Sequence, residues 1–437
     1  MELIAGGIAF VVLFSLAIFG VPLAAAMGLA GLVGMLVAGI PLLGSPIAVM
    51  GVLGNFAWLA LPLFIIFGGV LSDIGVARGV VWFGEVIGRR VRGGTSQVLI
   101  VSSLFMGGMT GSTLAEAGML SSMFRDEMER IGYARGYLAG LISCAGLIGA
   151  LIPPSNVLLI LGLAGEISIL RLWIAGIAPG IMVAIGLMIV AAFLQKRYET
   201  AKPAAAGAPA GAAKIYHRRG GSPAAALVGL AIPIFILGGM RFGVFSPVEA
   251  GAAGIVFALF LGFTIFRAGT SVTGLADSFS RNLLSSMSYL FLVAGAAVFG
   301  VLIVRLNLAD VVEQFFKASA FTPTEFLLLN FAVFFVMGFF IEAVPIMLIF
   351  VPLMLPSAQS LGIDPIHYGV SFSMIILLAN LTPPVGVQTL FACRLLDTTV
   401  FEWWKHGKHF FFVILVVTFV VMFVPEIPLW LPDAIMN

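Results

Sequence analysis

The sequence predicts an all-α polytopic membrane protein built as an inverted repeat of two halves, each of about five spans plus a re-entrant hairpin. Three observations carry this. Hydrophobic residues are 61% of the 437 and charged residues only 10%, where a soluble surface needs roughly 25% charged residues. Mean hydropathy is accordingly high, at +1.16, and stretches of the ~20 apolar residues needed to cross a bilayer recur along the chain. One polar, Ala/Pro/Gly-rich segment divides the chain, and the two sides of it share landmarks in the same order.

The elements follow in order. The first twenty residues lack a basic start and a small-residue cleavage site, so they read as the first span rather than a removed signal peptide. Spans are expected at about 3–20, 22–40 and 54–75, followed by an interfacial stretch at about 78–92 carrying Arg78, Arg89, Arg90 and Arg92. A glycine-rich apolar segment at about 96–122 has Arg92 before it and Arg125, Arg130 and Arg135 after it. Flanked by basic residues on both sides, it should enter and leave from the cytoplasm as a hairpin. The acidic-basic run RDEMER (125–130) reads as a solvated connector. Spans at about 137–165 and 171–195 return the chain to the basic segment 196–221, a flexible cytoplasmic linker.

The second half, 222–437, repeats the plan. Spans are expected at about 223–240, 246–266 and 286–304, a hairpin at about 324–360, and spans at about 366–396 and 409–430. Asp310, Glu313 and Asp364 flank this hairpin with a single Lys317, which suits the opposite face. Five crossings per half invert the second half and place both termini outside the cytoplasm. The landmarks support the repeat: Pro22 and Pro247 are offset by 247 − 22 = 225, Pro153 and Pro383 by 383 − 153 = 230, and Ser112 and Glu342 by 342 − 112 = 230. Inverted repeats of this kind mark alternating-access transporters.

Two Pro-Pro pairs inside spans carry the sharpest chemistry. Proline has no N–H and clashes with the carbonyl one turn back, so the pair breaks a helix and frees carbonyls. In lipid those carbonyls need protein, water or an ion. Ser155 and Asn156 adjoin the first break; Asn380, Thr382 and Gly386 adjoin the second. Their oxygens suit a hard cation, and a helix restarting after each break offers N–H groups to an anion. A packing kink is the alternative for either pair alone. Opposite the breaks, Gly111-Ser112-Thr113 forms one hairpin tip, with Glu116 after it, and Glu342 sits near the other. Intramembrane carboxylates default to function; each could bind a cation, carry a proton or cap the hairpin.

Other features are blander. Cys144 and Cys393 read as small packing residues, and Trp403-Trp404 beside Lys405 as interfacial belt and lipid-facing surface. No nucleotide-binding loop, metal-spaced His/Cys set, catalytic triad or nucleic-acid-binding patch is apparent, which argues against an intramembrane enzyme.

The segments GMTGSTLAEAG (108–118), LIPPSN (151–156), SPVEAGAAG (246–254), IEAVPIM with Pro352 and Pro356 (341–356), and LTPPVGV (381–387) resemble the large membrane subunit of the tripartite ATP-independent periplasmic (TRAP) transporters. The resemblance implies an elevator-type carrier, with transport and scaffold domains, that uses Na⁺ as coupling ion to import a small carboxylate across the inner membrane. It also implies two protein partners: a small four-helix membrane subunit and a periplasmic substrate-binding protein. The family's ion-site motifs map onto Ser112 and Thr113 with Pro154, Ser155 and Asn156, and onto Glu342 with Thr382, Pro384 and Gly386. Substrate contacts are expected from Thr110, Ser112, Glu116, Asn156, Asn380 and Thr382. A stand-alone dicarboxylate or Na⁺/H⁺ carrier of related architecture is the competing expectation.

Overall fold

The computed structural model describes residues 2–88, 94–198, 223–264, 272–383 and 385–436, and all regular elements among them are helices. The first half opens with α1 (Glu2–Ile18), α2 (Leu23–Ala38), α3 (Gly44–Leu53), a 3-10 turn (Phe56–Leu59) and α4 (Ala60–Asp73). A short α5 (Val76–Gly88) leads into a helical hairpin, α6 (Thr95–Thr110) and α7 (Thr113–Ile131). Next come α8 (Arg135–Leu151) and α9 (Asn156–Ala164), bent by 47° at their junction. The half closes with α10 (Ile169–Tyr198).

The second half runs through the same kinds of element. It has α11 (Pro223–Arg241), α12 (Pro247–Thr264), the long α13 (Val272–Arg305) and a short α14 (Leu308–Ala318). A second hairpin, α15 (Pro323–Met337) and α16 (Ala343–Ser360), is followed by α17 (Pro365–Asn380) and α18 (Val387–Leu395) with a break between them. The last helices are α19 (Val400–Phe423) and α20 (Glu426–Met436). Five helices among the described residues are long and apolar enough to cross a membrane, or six with α8 and α9 taken as one bent span.

Helix starts follow ordinary capping chemistry. Asp364 accepts from the N–H groups of Ile366 and His367 at 2.7 and 3.2 Å, with Pro365 at the first helical position. Thr322 and Glu325 form a reciprocal capping box at the start of α15. Outward-facing side chains are apolar where a soluble protein would be charged: Phe19, Phe193 and Phe242 are each at least 80% exposed. That surface needs lipid around it.

Several elements depart from the sequence expectation. The run 125–130 is not a connector but the last turns of α7, knit by Arg125–Glu129 and Arg130–Glu127 pairs at 3.3 and 2.8 Å. These i,i+3 and i,i+4 pairings let the helix continue past its apolar part. The first hairpin is therefore longer than 96–122. Helix α13 begins at Val272 rather than 286, because polar residues on one face do not interrupt a helix that lines a cavity. Helix α14 is amphipathic and too short to span, so hydropathy alone passed it over. Helix α19 begins at Val400, taking in the tryptophan pair, and Trp403 is fully buried rather than lipid-facing: its indole N–H donates to Ser143 Oγ at 2.8 Å. The expected linker 196–221 falls outside the described residues beyond Tyr198.

Two helices form the centre. Every residue of α8 from Gly136 to Leu151 and of α17 from Ile366 to Asn380 is buried. Lipid tails are as apolar as leucine, so close packing rather than hydrophobicity must hold such helices together. Glycine supplies it: a Cβ on Gly107 would lie 2.3 Å from Gly149 Cα, joining α6 to α8, and one on Gly140 would lie 2.4 Å from Gly407 Cα, joining α8 to α19. Around this centre the halves interlock. Helix α2 packs on α13 and α12 on α4, while α16 reaches α9 and α18 reaches both α7 and α8.

Candidate functional site

The first hairpin tip and the first helix break are built against each other. Helix α6 ends at Gly111, whose backbone is left-handed at φ 56°, a conformation glycine adopts without steric cost. The Gly111 carbonyl accepts the Asn156 N–H at 3.3 Å, and a Cβ on Gly111 would meet the Asn156 amide at 3.0 Å. Tip and break are thus one unit. At the break, Ser155 starts α9: its hydroxyl accepts from Leu158 N–H at 3.2 Å and donates to the Ala150 carbonyl, and its own carbonyl accepts the Trp173 indole N–H at 3.0 Å. The Ser155 hydroxyl is buried and largely engaged in holding the bend, with one lone pair to spare. Pro154 is buried beside it.

The second break is arranged similarly. Thr382 donates to the Leu378 carbonyl at 3.0 Å, and the Gly386 N–H returns to the Thr382 carbonyl at 2.9 Å. Backbone crowds here too, since a Cβ on Gly386 would lie 2.5 Å from the Asn380 carbonyl oxygen. Asn380 Oδ1 is buried and accepts no hydrogen bond among the described residues, an acceptor left available for a cation. The second hairpin tip closes on this break through Gly338, where a Cβ would lie 2.5 Å from Ala379 Cβ. Glu342 starts α16 without a side-chain cap. Pro384 and the side chain of Thr110 lie outside the described residues.

A cavity of about 320 Å³ opens between the first tip and helices α4 and α13. Ser112 and Asn156 line it from the hairpin side, Ser72 and Asp73 from α4, and Arg281, Asn282, Ser285 and Tyr289 from α13. Residues 281, 285 and 289 stand one above another on the helix, a polar stripe about 12 Å long. Arg281 and Asp73 form an ion pair at 3.2 Å with side chains 67% and 41% exposed. Exposed pairs of this kind contribute roughly 0–1 kcal/mol, so this one opens at little cost.

The predicted residues separate on this geometry. Ser112 and Asn156 share the cavity. Thr113 sits beside them, its carbonyl accepting Gln388 Nε2 of α18 at 3.0 Å, which ties the first tip to the second break. Glu116 does not line the cavity: it is fully buried, bonded to Ser103 of α6, and fills the space a side chain at Gly149 would need. Arg281, Ser285, Tyr289 and Gln388 escaped the sequence reading. An arginine four and eight residues before two hydroxyls was the available signal, obscured because the span was expected to begin at 286.

At the far end of α7, outside the apolar region, Arg125 donates to Asp397 at 2.6 Å and to the Leu395 carbonyl at 2.8 Å. The guanidinium holds the Asp397 carboxyl below the usual carboxylate range and fixes the first hairpin to the α18–α19 turn.

Comparison with known proteins decides the family. The sequence model described as "Tripartite ATP-independent periplasmic transporter, DctM component" matches residues 10–427. The chain belongs to this family of TRAP large permeases. Among its relatives is the sialic acid TRAP transporter large permease of Vibrio cholerae, 29% identical over 386 residues, with 88% of each chain covered. The C4-dicarboxylate TRAP large permease of Pseudomonas aeruginosa is 27% identical, with 87% of each chain covered. The 2,3-diketo-L-gulonate TRAP large permease of Escherichia coli is 29% identical, with 76% of each covered. In structure, the TRAP permease resembles the YdaH transporter of Alcanivorax borkumensis, described as having an unusual topology. The TM-score is 0.60 at 18% identity, over 85% of this chain and 87% of that one; this likeness concerns the fold. As a TRAP large permease the protein resides in a bacterial inner membrane and works as part of a tripartite, ATP-independent system.

Proposed function

We propose that this TRAP permease imports a small organic acid anion, driven by a Na⁺ gradient, with the acid delivered by a periplasmic binding protein and a small membrane subunit completing the scaffold. The observation that carries the reading is the joined tip and break, Gly111 to Asn156, facing a polar cavity at the boundary with α4 and α13. The relatives named for sialic acid, C4-dicarboxylates and 2,3-diketo-L-gulonate share a carboxylate as their substrates' common group. Backbone carbonyls freed at the breaks, the Asn156 amide, Thr382 and the unengaged Asn380 Oδ1 are oxygens of the kind a hard cation takes. Each cation bound at a break would order the adjoining tip, so ion and anion binding favour the same conformation.

In this reading the hairpins and broken helices (α6 to α9 and α15 to α18) move as a transport body against a scaffold containing α1 to α4 and α11 to α13, with the second repeat inverted in the membrane. Sodium sites at the breaks are tested by Na⁺ titration of uptake in proteoliposomes. Asn156→Ala and Thr382→Ala should raise the half-saturating Na⁺ concentration about tenfold, the loss of roughly 1.4 kcal/mol of binding. Unchanged Na⁺ dependence in both variants would remove the breaks as ion sites.

A further inference from the structure

Arg281 is the cationic residue lining the cavity, and its guanidinium is underused. Of its five N–H donors, one is engaged among the described residues, through a single contact from Nη2 to Asp73. The surrounding groups are of the same character. Ser112 starts α7 without a side-chain cap bond. Asn156 and Tyr289, whose side chains carry an amide and a hydroxyl, also line the cavity. All of these can donate, and they converge on one space with Arg281 at one end. A planar fork with free donors matches a carboxylate in two-point geometry, which a lone ammonium would not. Asp73, beside it, is a carboxylate already on the protein.

We propose that Arg281, on the scaffold wall, receives the transported acid's carboxylate before the first hairpin tip takes the acid up, and that Asp73 is a built-in stand-in that the substrate displaces. Resting, the pair keeps the cavity neutral and Arg281 in place. When an acid arrives, its carboxylate takes the free edge of the guanidinium and loosens the single Asp73 contact. That contact joins α13 to the end of α4, so substrate entry acts directly on the wall that faces the first hairpin tip. Ser112, Asn156 and Tyr289 then meet the remainder of the molecule. This rests on the organic acid reading above and adds the residue that recognises the acid.

The test is uptake of radiolabelled succinate, N-acetylneuraminate and 2,3-diketo-L-gulonate by proteoliposomes holding the complete transporter. Wild type is compared with Arg281→Gln, Arg281→Lys and Asp73→Asn, each checked for monodispersity and thermal stability in detergent. For the acid that wild type takes up, Arg281→Gln should raise KM at least thirtyfold, and Arg281→Lys should recover part of that. Asp73→Asn should lower KM severalfold, because a competing carboxylate is gone. A pair that merely clamps α4 to α13 would be harmed alike by Arg281→Gln and Asp73→Asn, and that result overturns the proposal, as does an unchanged KM in Arg281→Gln. If wild type takes up none of the three acids, the organic acid reading itself fails and the assignment falls with it.

Discussion

Gly111 shows how much of this site hangs on single residues. Its left-handed backbone and its contact with the Asn156 amide both depend on the missing Cβ. An alanine there would pay about 1–2 kcal/mol for the conformation alone and push Asn156 off the tip. Gly111→Ala should therefore cut uptake about tenfold or more, since 1.4 kcal/mol corresponds to a factor of ten, while a uptake rate equal to wild type would mean the tip and break are not coupled. Glu116 teaches the opposite lesson. Its place in an apolar segment marked it as a functional acid, yet it is packed between Ser103 and Gly149, away from the cavity. Position along the chain revealed that the carboxylate is unusual; only the helix crossing of α6 and α8 reveals which way it faces.

Among elements, the hairpins and broken helices were legible because their signals are local. A consecutive Pro-Pro pair, as at Pro153-Pro154, removes two successive helix N–H groups and so marks a break in the sequence itself, and Gly107, Gly108 and Gly111 permit a tight tip. The polar stripe of α13 was not legible as a site, because what makes it one is its placement opposite Ser112 and Asn156. Helix α14 and the start of α19 were missed for a related reason: amphipathic and aromatic turns carry weak hydropathy signals, and their burial is decided by partners distant in sequence. The contact between α4 and α7 supplies an element-scale prediction. Ser72 Oγ lies 3.0 Å from Met119 Sδ across the boundary between the proposed scaffold and transport bodies. With Cys144 and Cys393 replaced, a Ser72→Cys/Met119→Cys pair oxidised to a disulfide should abolish uptake, and reductant should restore it. Full uptake by the oxidised protein would show that these helices need not separate, against an elevator movement.

At the scale of the whole molecule, the two halves are interdigitated rather than side by side. Helices α2 and α13 pack together, as do α12 and α4, and Gln388 of the second half holds Thr113 of the first. Each hairpin tip also closes on the break of its own half, Gly111 on Asn156 and Gly338 on Ala379. Ligands at either break would therefore be felt in both halves, which is what coupling one solute to another requires. This permease is expected to move an organic acid only with its partners and a Na⁺ gradient. The direct measurement is uptake in proteoliposomes containing the permease and its small subunit, scored with and without the binding protein and with and without inward Na⁺. Uptake is expected only when both are present. Uptake that persists without the binding protein would identify a stand-alone carrier, and uptake indifferent to the Na⁺ gradient would contradict sodium coupling.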